Sequence, residues 1–160
     1  MEKITSLIQQ LNSLASQRNV PLPTFMEGEI FSWNHTSRTI TYNPTHSQAV
    51  PYLLHEFCHA LLNHTTYAHD VTLLKMESEA WHQAEALARE LDIAIDGTLI
   101  ELSLDTYRDW LHSRSLCPQC TSTGLQEGAS TYRCLSCRHA WRVNEARTCE
   151  LRRYSTQKTP

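Results

Sequence analysis

Hydrophobic residues recur at helical spacing in four stretches of the chain. The first stretch covers residues 3–17 and places its apolar side chains three and four positions apart, at Ile4, Leu7, Ile8, Leu11 and Leu14. The same periodicity predicts further helices from Pro51 to about residue 63, over about 71–93, and from Thr98 to about residue 113. An Asp-Gly dipeptide at 96–97 separates the last two helices.

A fifth stretch has the composition and turn signals of a β-hairpin. Residues 29–33 (EIFSW) and 38–42 (RTITY) are rich in aromatic and β-branched side chains, and they flank a polar turn at 34–37. Together with the four helices, this hairpin predicts an α+β fold. We expect the hairpin and helices to form one N-terminal domain over residues 1–113.

The predicted helix that begins at Pro51 contains an H-E-x-x-H motif, with His55, Glu56 and His59 at its defined positions. Residues four apart are separated by about one helical turn, so the two imidazoles project from one face. Two nitrogens at that spacing suit one Zn²⁺, which binds histidine at about 2.0–2.1 Å. Glu56 lies on the adjoining flank, where a carboxylate can act as a general base without ligating the metal. The alternative is two histidines on a partly buried helix beside a solvated Glu56.

The next predicted helix offers two acidic candidates for a third ligand, Glu77 and Glu79. At about 100° per residue, Glu77 lies at the centre of the apolar stripe, whereas Glu79 points nearly the opposite way. A carboxylate on an apolar face needs a partner, which a metal supplies. We therefore predict Glu77 as the third ligand and keep Glu79 as the fallback. The alternative for Glu77 is a first-turn residue that interacts with the helix dipole.

Four cysteines form two C-x2-C pairs, Cys117 with Cys120 and Cys134 with Cys137, separated by 13 residues. Thiolates at this spacing close a tetrahedral shell around Zn²⁺, and the residues between the pairs suit a short hairpin. The pattern predicts a zinc ribbon over residues 114–143. Protein would fill all four metal positions, so this zinc would be structural, and so small a segment needs it to fold.

Charge divides the chain near the start of the predicted ribbon. Residues 1–112 carry 6 basic and 14 acidic side chains, a net charge of −8, whereas residues 113–160 carry 8 and 3, a net charge of +5. The basic side chains that we expect on the ribbon surface are Arg114, Arg133, Arg138, Arg142 and Arg147. With nearby aromatic residues, this surface suits nucleic acid, and Arg133, Arg138 and Arg142 are the candidate contacts. A protein-docking ribbon, or one that only stabilises the fold, is the open alternative.

The ends of the chain give expectations about order and location. Residues 144–160 are polar, and we predict a disordered tail there. No segment approaches 18 consecutive apolar residues, and the N-terminus lacks the basic region and apolar core of a signal peptide. We therefore expect a cytoplasmic protein with no membrane partner.

The N-terminal module resembles the ImmA/IrrE family of metallopeptidases over roughly residues 28–95. The resemblance rests on a strand ending in ITYN at 40–43, the H-E-x-x-H motif, and an E-x-x-A helix at 77–80. It implies a minimal gluzincin-type, zincin-like fold. His55, His59 and Glu77 would bind zinc in that fold, and Glu56 would be catalytic.

An H-E-x-x-H helix followed by a zinc ribbon is also similar to the SprT family, which acts on proteins bound to DNA. That family, our second choice, uses a third histidine ligand, for which His64 and His69 are available here.

The two motifs together predict two zinc ions per chain, one catalytic and one structural, and the resemblance implies a zinc-dependent intracellular metalloprotease. Glu56 would act as the general base on a zinc-bound water. The substrate would be a regulatory or DNA-associated protein, for example a repressor. The alternative function is a nucleic-acid- or protein-binding adaptor in which the H-E-x-x-H site is structural or inactive.

Overall fold

A computed structural model describes residues 2–156, so the last four residues of the predicted tail, 157–160, lie outside the described part of the chain. The fold is α+β, as predicted. In chain order the elements are α1 (Glu2–Gln17), β1 (Thr24–Glu27), β2 (Ser32–Asn34), β3 (Thr39–Tyr42), α2 (Ala49–Leu61), α3 (Asp70–Glu90), α4 (Gly97–Ser115), β4 (Gly124–Gly128), β5 (Thr131–Cys134), β6 (Ala140–Val143) and β7 (Arg153–Ser155).

The chain divides into two compact units. The first holds the residues up to Thr66 together with Met76–Gly97, and the second holds Tyr67–Lys75 together with the chain from Thr98 onward. The predicted domain boundary at 113/114 differs from this division, because α4 groups with the C-terminal strands rather than with the H-E-x-x-H helix. Within the described residues, every helix falls short of the length and apolar content that a membrane crossing requires.

Helix α1 buries the apolar face that its periodicity predicts. Ile4, Leu7, Leu11 and Ala15 are all buried, with Leu11 and Ala15 fully so. The helix ends at Gln17, and Asn19 just beyond it adopts a left-handed backbone with φ 54°. The N–H of the following residue, Val20, donates to the carbonyl of Ala15 at 2.9 Å, a bond that satisfies a carbonyl at the end of the helix.

The sheet of the first unit has three strands in the order β1-β3-β2. Strands β2 and β3 form the predicted hairpin, with Trp33 opposite Ile40, and Ile40 is fully buried. The side chain of Asn34 closes the turn by accepting from the N–H groups of Thr36 and Ser37, each at 3.0 Å. Strand β1 pairs in parallel with the other side of β3 and was absent from the prediction.

Helix α2 packs its apolar face against this sheet. Leu53, Leu54 and Phe57 are fully buried, and the ring of Phe57 lies 6.4 Å from that of Phe25 on β1. Pro51 lies in the first turn, where its missing N–H costs no helical hydrogen bond. Because the apolar side of α2 faces the sheet, the H-E-x-x-H residues keep a fixed direction.

The first-unit part of α3 also follows the predicted stripe. Ala80, Ala84 and Leu87 are fully buried, and the two alanines allow close packing. The helix ends like α1, with Asp92 at φ 55° and the N–H of Ile93 donating to the carbonyl of Ala88 at 2.8 Å.

In the second unit, four antiparallel strands follow α4 in the order β4-β5-β6-β7. Tyr132, Trp141 and Val143 pack with the cysteines of the two C-x2-C pairs in its core. The prediction of a disordered tail from residue 144 is wrong for the segment that forms β7. That strand pairs with β6, placing Arg153 opposite Val143, so backbone hydrogen bonds order it although its side chains are exposed.

A buried ion pair joins the first turn of α3 to the end of α4 within the second unit. Asp70 and Arg114 are 1% and 3% exposed, and Nε of Arg114 lies 2.5 Å from Oδ2 of Asp70. Tyr132 donates to the same carboxylate oxygen, and Gln126 donates to the other at 3.2 Å. The expectation that Arg114 belongs to the basic surface is therefore wrong, because its charge is neutralised inside the protein.

We expect Gly124→Ala to destabilise the second unit. A Cβ at this position would overlap Cη2 of Trp141 and lie 3.0 Å from the carbonyl oxygen of Arg133. Since Trp141 is fully buried and cannot move aside freely, overpacking of about 1–3 kcal/mol is expected in urea denaturation. The matched control is Gly97→Ala, whose Cβ meets nothing within 4 Å and should change stability by about 0.5 kcal/mol at most. Equal effects of the two substitutions would contradict this packing.

Candidate metal centres

The imidazoles of His55 and His59 and the carboxylate of Glu77 converge in the first unit. Nε2 of His55 lies 3.0 Å from Oε2 of Glu77 and 3.1 Å from Nε2 of His59. Nε2 of His59 lies 3.6 Å from the same carboxylate oxygen. All three residues are buried, at 5%, 6% and 6% exposure for His55, His59 and Glu77. The structure thus brings together the three residues that the sequence selected and leaves Glu79 exposed and outside the cluster.

This donor set fits a metal ion. Donors at about 2.0–2.1 Å from a tetrahedral zinc lie about 3.3 Å from one another, and the observed separations of 3.0–3.6 Å bracket that value. Hydrogen bonds alone satisfy the cluster poorly. Each N–H points to one acceptor and therefore cannot account for all three close contacts among His55, His59 and Glu77. Two imidazoles and a carboxylate are a donor set that proteins use for zinc.

The charges of the cluster are mutually dependent. Burial acts to raise the pKa of Glu77, but hydrogen bonds and charge from His55 and His59 lower it well below its usual range. Burial lowers the pKa of His55. Burial also acts to lower the pKa of His59, yet hydrogen bonding and charge from Glu77, with a smaller contribution from Glu56, raise it. The carboxylate therefore stays ionised inside the protein, as a metal ligand must.

Glu56 lies beside the cluster on the same helix. Its side chain is half-buried, and its charge reaches His59. Cys58, also within the motif, is fully buried, and burial raises the pKa of its thiol far above the ordinary value. Cys58 is therefore a packing residue, whereas Glu56 has the exposure that a proton-transfer group needs.

Two further residues contact the histidine rings: Trp81, which the sequence did not indicate, and His64, which it offered only as an alternative ligand. Trp81 stacks on His55 with ring centroids 4.2 Å apart and an interplanar angle of 25°. Nδ1 of His55 is buried without a hydrogen-bond partner among the described residues, so the ring is oriented by this stacking contact together with the contacts of Nε2 to Glu77 and His59. His64 contacts His59 through a pair of ring nitrogens 2.9 Å apart. Trp81 follows Glu77 by four positions and shares its helix face, a signal that could have identified it.

The second donor cluster consists of the four thiols of Cys117, Cys120, Cys134 and Cys137, all within 4.8 Å of one another. The Sγ atoms of Cys117 and Cys137 lie 3.6 Å apart, and those of Cys120 and Cys134 lie 3.5 Å apart. These separations are far beyond an S–S bond of about 2.0 Å and close to the about 3.8 Å expected around tetrahedral zinc. The cluster is compatible with a zinc ribbon.

The protein environment promotes ionisation of these thiols unequally. Hydrogen bonding by Ser122 lowers the pKa of Cys120 to about 6. A hydrogen bond from the backbone of His139 acts to lower the pKa of Cys137, but burial and the neighbouring thiols raise it to about 12. Four adjacent sulfurs cannot all become thiolates near neutral pH unless a cation binds them.

The predicted nucleic-acid contacts Arg133, Arg138 and Arg142 are exposed on the ribbon. Nε of Arg133 lies 2.6 Å from Oε1 of Glu127, which offsets its charge. The guanidinium of Arg142 lies 5.6 Å from the centre of the Tyr154 ring on β7. Arg138 has a left-handed backbone with φ 66° immediately after the second C-x2-C pair.

Comparison with known proteins gives no match: no protein-family model, curated protein or solved structure resembles this chain closely enough to be paired with it.

We expect the full chain to bind two equivalents of zinc, measured by inductively coupled plasma mass spectrometry after dialysis. His59→Ala should remove one equivalent, and Cys137→Ala should remove the other, because each deletes a donor from a different cluster. His82→Ala is the matched control, since His82 is exposed on α3. One equivalent in the unsubstituted chain, or two in the His59→Ala chain, would be incompatible with two metal centres.

Proposed function

We propose that the chain is a zinc-dependent metallopeptidase of the gluzincin type, with His55, His59 and Glu77 as zinc ligands and Glu56 as the general base. The observation that supports it most is the convergence of three buried donors, two from α2 and one from α3. Three protein donors are typical of catalytic zinc sites, whereas structural sites use four. The zincin-like fold and the kinship with the ImmA/IrrE family belong to the same proposal.

The proposed reaction gives each of these side chains a role. Zinc, when bound, polarises a peptide carbonyl and lowers the pKa of a water molecule. Glu56 takes a proton from the attacking water through its carboxylate and passes it to the nitrogen of the leaving amine. Glu77 would hold the zinc through its ionised carboxylate, whose negative charge the bound cation would stabilise.

The position of His64 favours the gluzincin type over the SprT type. A SprT-like site would use a third histidine as ligand. Nδ1 of His64 faces Nδ1 of His59, whereas the donor cluster uses Nε2 of His59. Glu77 occupies the place of the third ligand instead.

We assign the four cysteines a structural zinc and place the substrate among regulatory or DNA-associated proteins inside the cell. None of the six cysteines forms a disulfide, which is consistent with a reducing compartment. The exposed Arg138 and Arg142 would favour a substrate that is bound to, or resembles, nucleic acid.

Glu56→Gln tests the proposed reaction. The amide has nearly the same size but cannot accept the proton, so turnover should fall by about 10²- to 10⁴-fold while both metal equivalents remain bound. Cleavage is measured by mass spectrometry on a proteome-derived peptide library with the zinc-loaded chain. Glu85→Gln, the same chemical change on α3, is the control and should leave cleavage unchanged.

Three outcomes separate the candidate functions. Cleavage by the unsubstituted chain that Glu56→Gln abolishes supports the peptidase. Equal cleavage by both chains would show that Glu56 is not the base. Absence of cleavage together with retardation of a DNA or RNA fragment in a gel would favour the adaptor function, with the H-E-x-x-H site serving as a structural centre.

A further inference from the structure

His64 forms a second layer behind one ligand of the donor cluster. Its Nδ1 lies 2.9 Å from Nδ1 of His59, and the two ring centroids are 4.9 Å apart. His59 uses its other nitrogen, Nε2, toward His55 and Glu77. Both nitrogens of the His59 ring are therefore engaged, one by the cluster and one by His64.

The chemistry of a ligand histidine fixes the roles in this contact. A neutral imidazole that binds a metal through Nε2 carries its proton on Nδ1, which must then act as a donor. Nδ1 of His64 is consequently the acceptor, and the proton of His64 lies on Nε2. Nε2 of His64 lies 3.5 Å from Oε2 of Glu79, a carboxylate oxygen that can accept a hydrogen bond from this N–H group. The sequence His59, His64, Glu79 thus forms one chain of donors and acceptors running from the cluster to the surface.

The backbone holds His64 firmly in this place. Asn63 adopts a left-handed conformation with φ 53° just after α2. The N–H of His64 then donates to the carbonyl of His59 at 3.0 Å, and the carbonyl of His64 accepts from Nε1 of Trp33 at 2.9 Å. The side chain of His64 is only 10% exposed, whereas that of Glu79 is 47% exposed. Both peptide groups of His64 are thus fixed by partners in the same unit.

We propose that His64 is a positioning residue for the metal centre, accepting the Nδ1 proton of His59 and thereby fixing the tautomer and orientation of that ligand. The inference rests on the proposed metal role of His59 and assigns no contact between His64 and substrate. Glu79, the fallback ligand, gains a different role as the outer acceptor of this chain. Partners of this kind typically change metal affinity by about 10- to 100-fold.

Three substitutions of His64 separate this role from packing. His64→Asn places an amide oxygen where Nδ1 stood and keeps the acceptor. In His64→Gln the amide group reaches the position of Nε2 instead, so Nδ1 of His59 loses its hydrogen-bond acceptor. His64→Leu removes both polar atoms. We expect the Asn variant to bind zinc within about threefold of the unsubstituted chain, and the Gln and Leu variants to bind it about 10- to 100-fold more weakly.

Affinity is measured on the full chain with Zn²⁺ and a competing chromophoric chelator. A thiol reagent added in parallel reports when the four-cysteine cluster loses its metal, which separates the two sites. His82→Ala is the control for loss of an imidazole elsewhere. Ring ¹⁵N spectra of the loaded chain supply an independent readout, with a proton expected on Nδ1 of His59 and on Nε2 of His64.

The outcomes decide the proposal separately from the proposed function. If the unsubstituted chain binds zinc only at its thiols, the metallopeptidase proposal fails before His64 is considered. If it binds two equivalents and the Gln and Asn variants have the same affinity, the positioning role is overturned while the metal centre stands. Should the Leu variant not fold, as judged by circular dichroism, the Asn and Gln pair still decides, because both are polar and of similar shape.

Discussion

An ionised carboxylate that leaves water must gain partners, because an unpaired buried charge costs several kcal/mol. Glu77 meets this requirement only when two separate helices are in place, since its partners His55 and His59 lie on α2 and Glu77 itself lies on α3. The buried face of α2 against the sheet, the alanines of α3 and the stack of Trp81 on His55 all serve to bring these three side chains to one point.

The second unit contains a buried carboxylate that is paired differently. Asp70 faces the guanidinium of Arg114, and two further donors, Gln126 and Tyr132, complete its hydrogen bonds. Such a group is satisfied by the protein alone. The ion-pair partners of Glu77 are both imidazoles, which are neutral when they bind a metal. The contrast between the two carboxylates supports a cation at the Glu77 site and none at Asp70.

The parts of the fold that the sequence predicts are those set by local spacing. The direction of His55 and His59 follows from one helical turn, and the choice of Glu77 over Glu79 follows from the apolar stripe of α3. Strands β1 and β7 could not be predicted in this way. Their side chains are largely exposed, so they lack alternation, and backbone pairing with distant strands orders them.

Long-range pairing also explains the remaining errors. The sequence predicts a surface position for Arg114, because no residue near it in sequence indicates that Asp70, 44 positions earlier, will neutralise its charge. The contact of His64 with His59 depends on the left-handed turn at Asn63, which the periodicity of α2 does not reveal. Sequence spacing therefore identified the donors of both candidate metal centres and missed the residues that hold them.

The order in which the chain contributes to its two compact units has a practical consequence. The backbone passes between them three times, at 66/67, 75/76 and 97/98, and the middle crossing falls inside α3. No single cleavage point releases either unit whole, and a truncation designed at the start of the ribbon would also remove Arg114 and strand Asp70 without its counter-charge. Deletion mapping is accordingly a poor tool for this protein, and point substitutions are the appropriate way to assign roles to its parts.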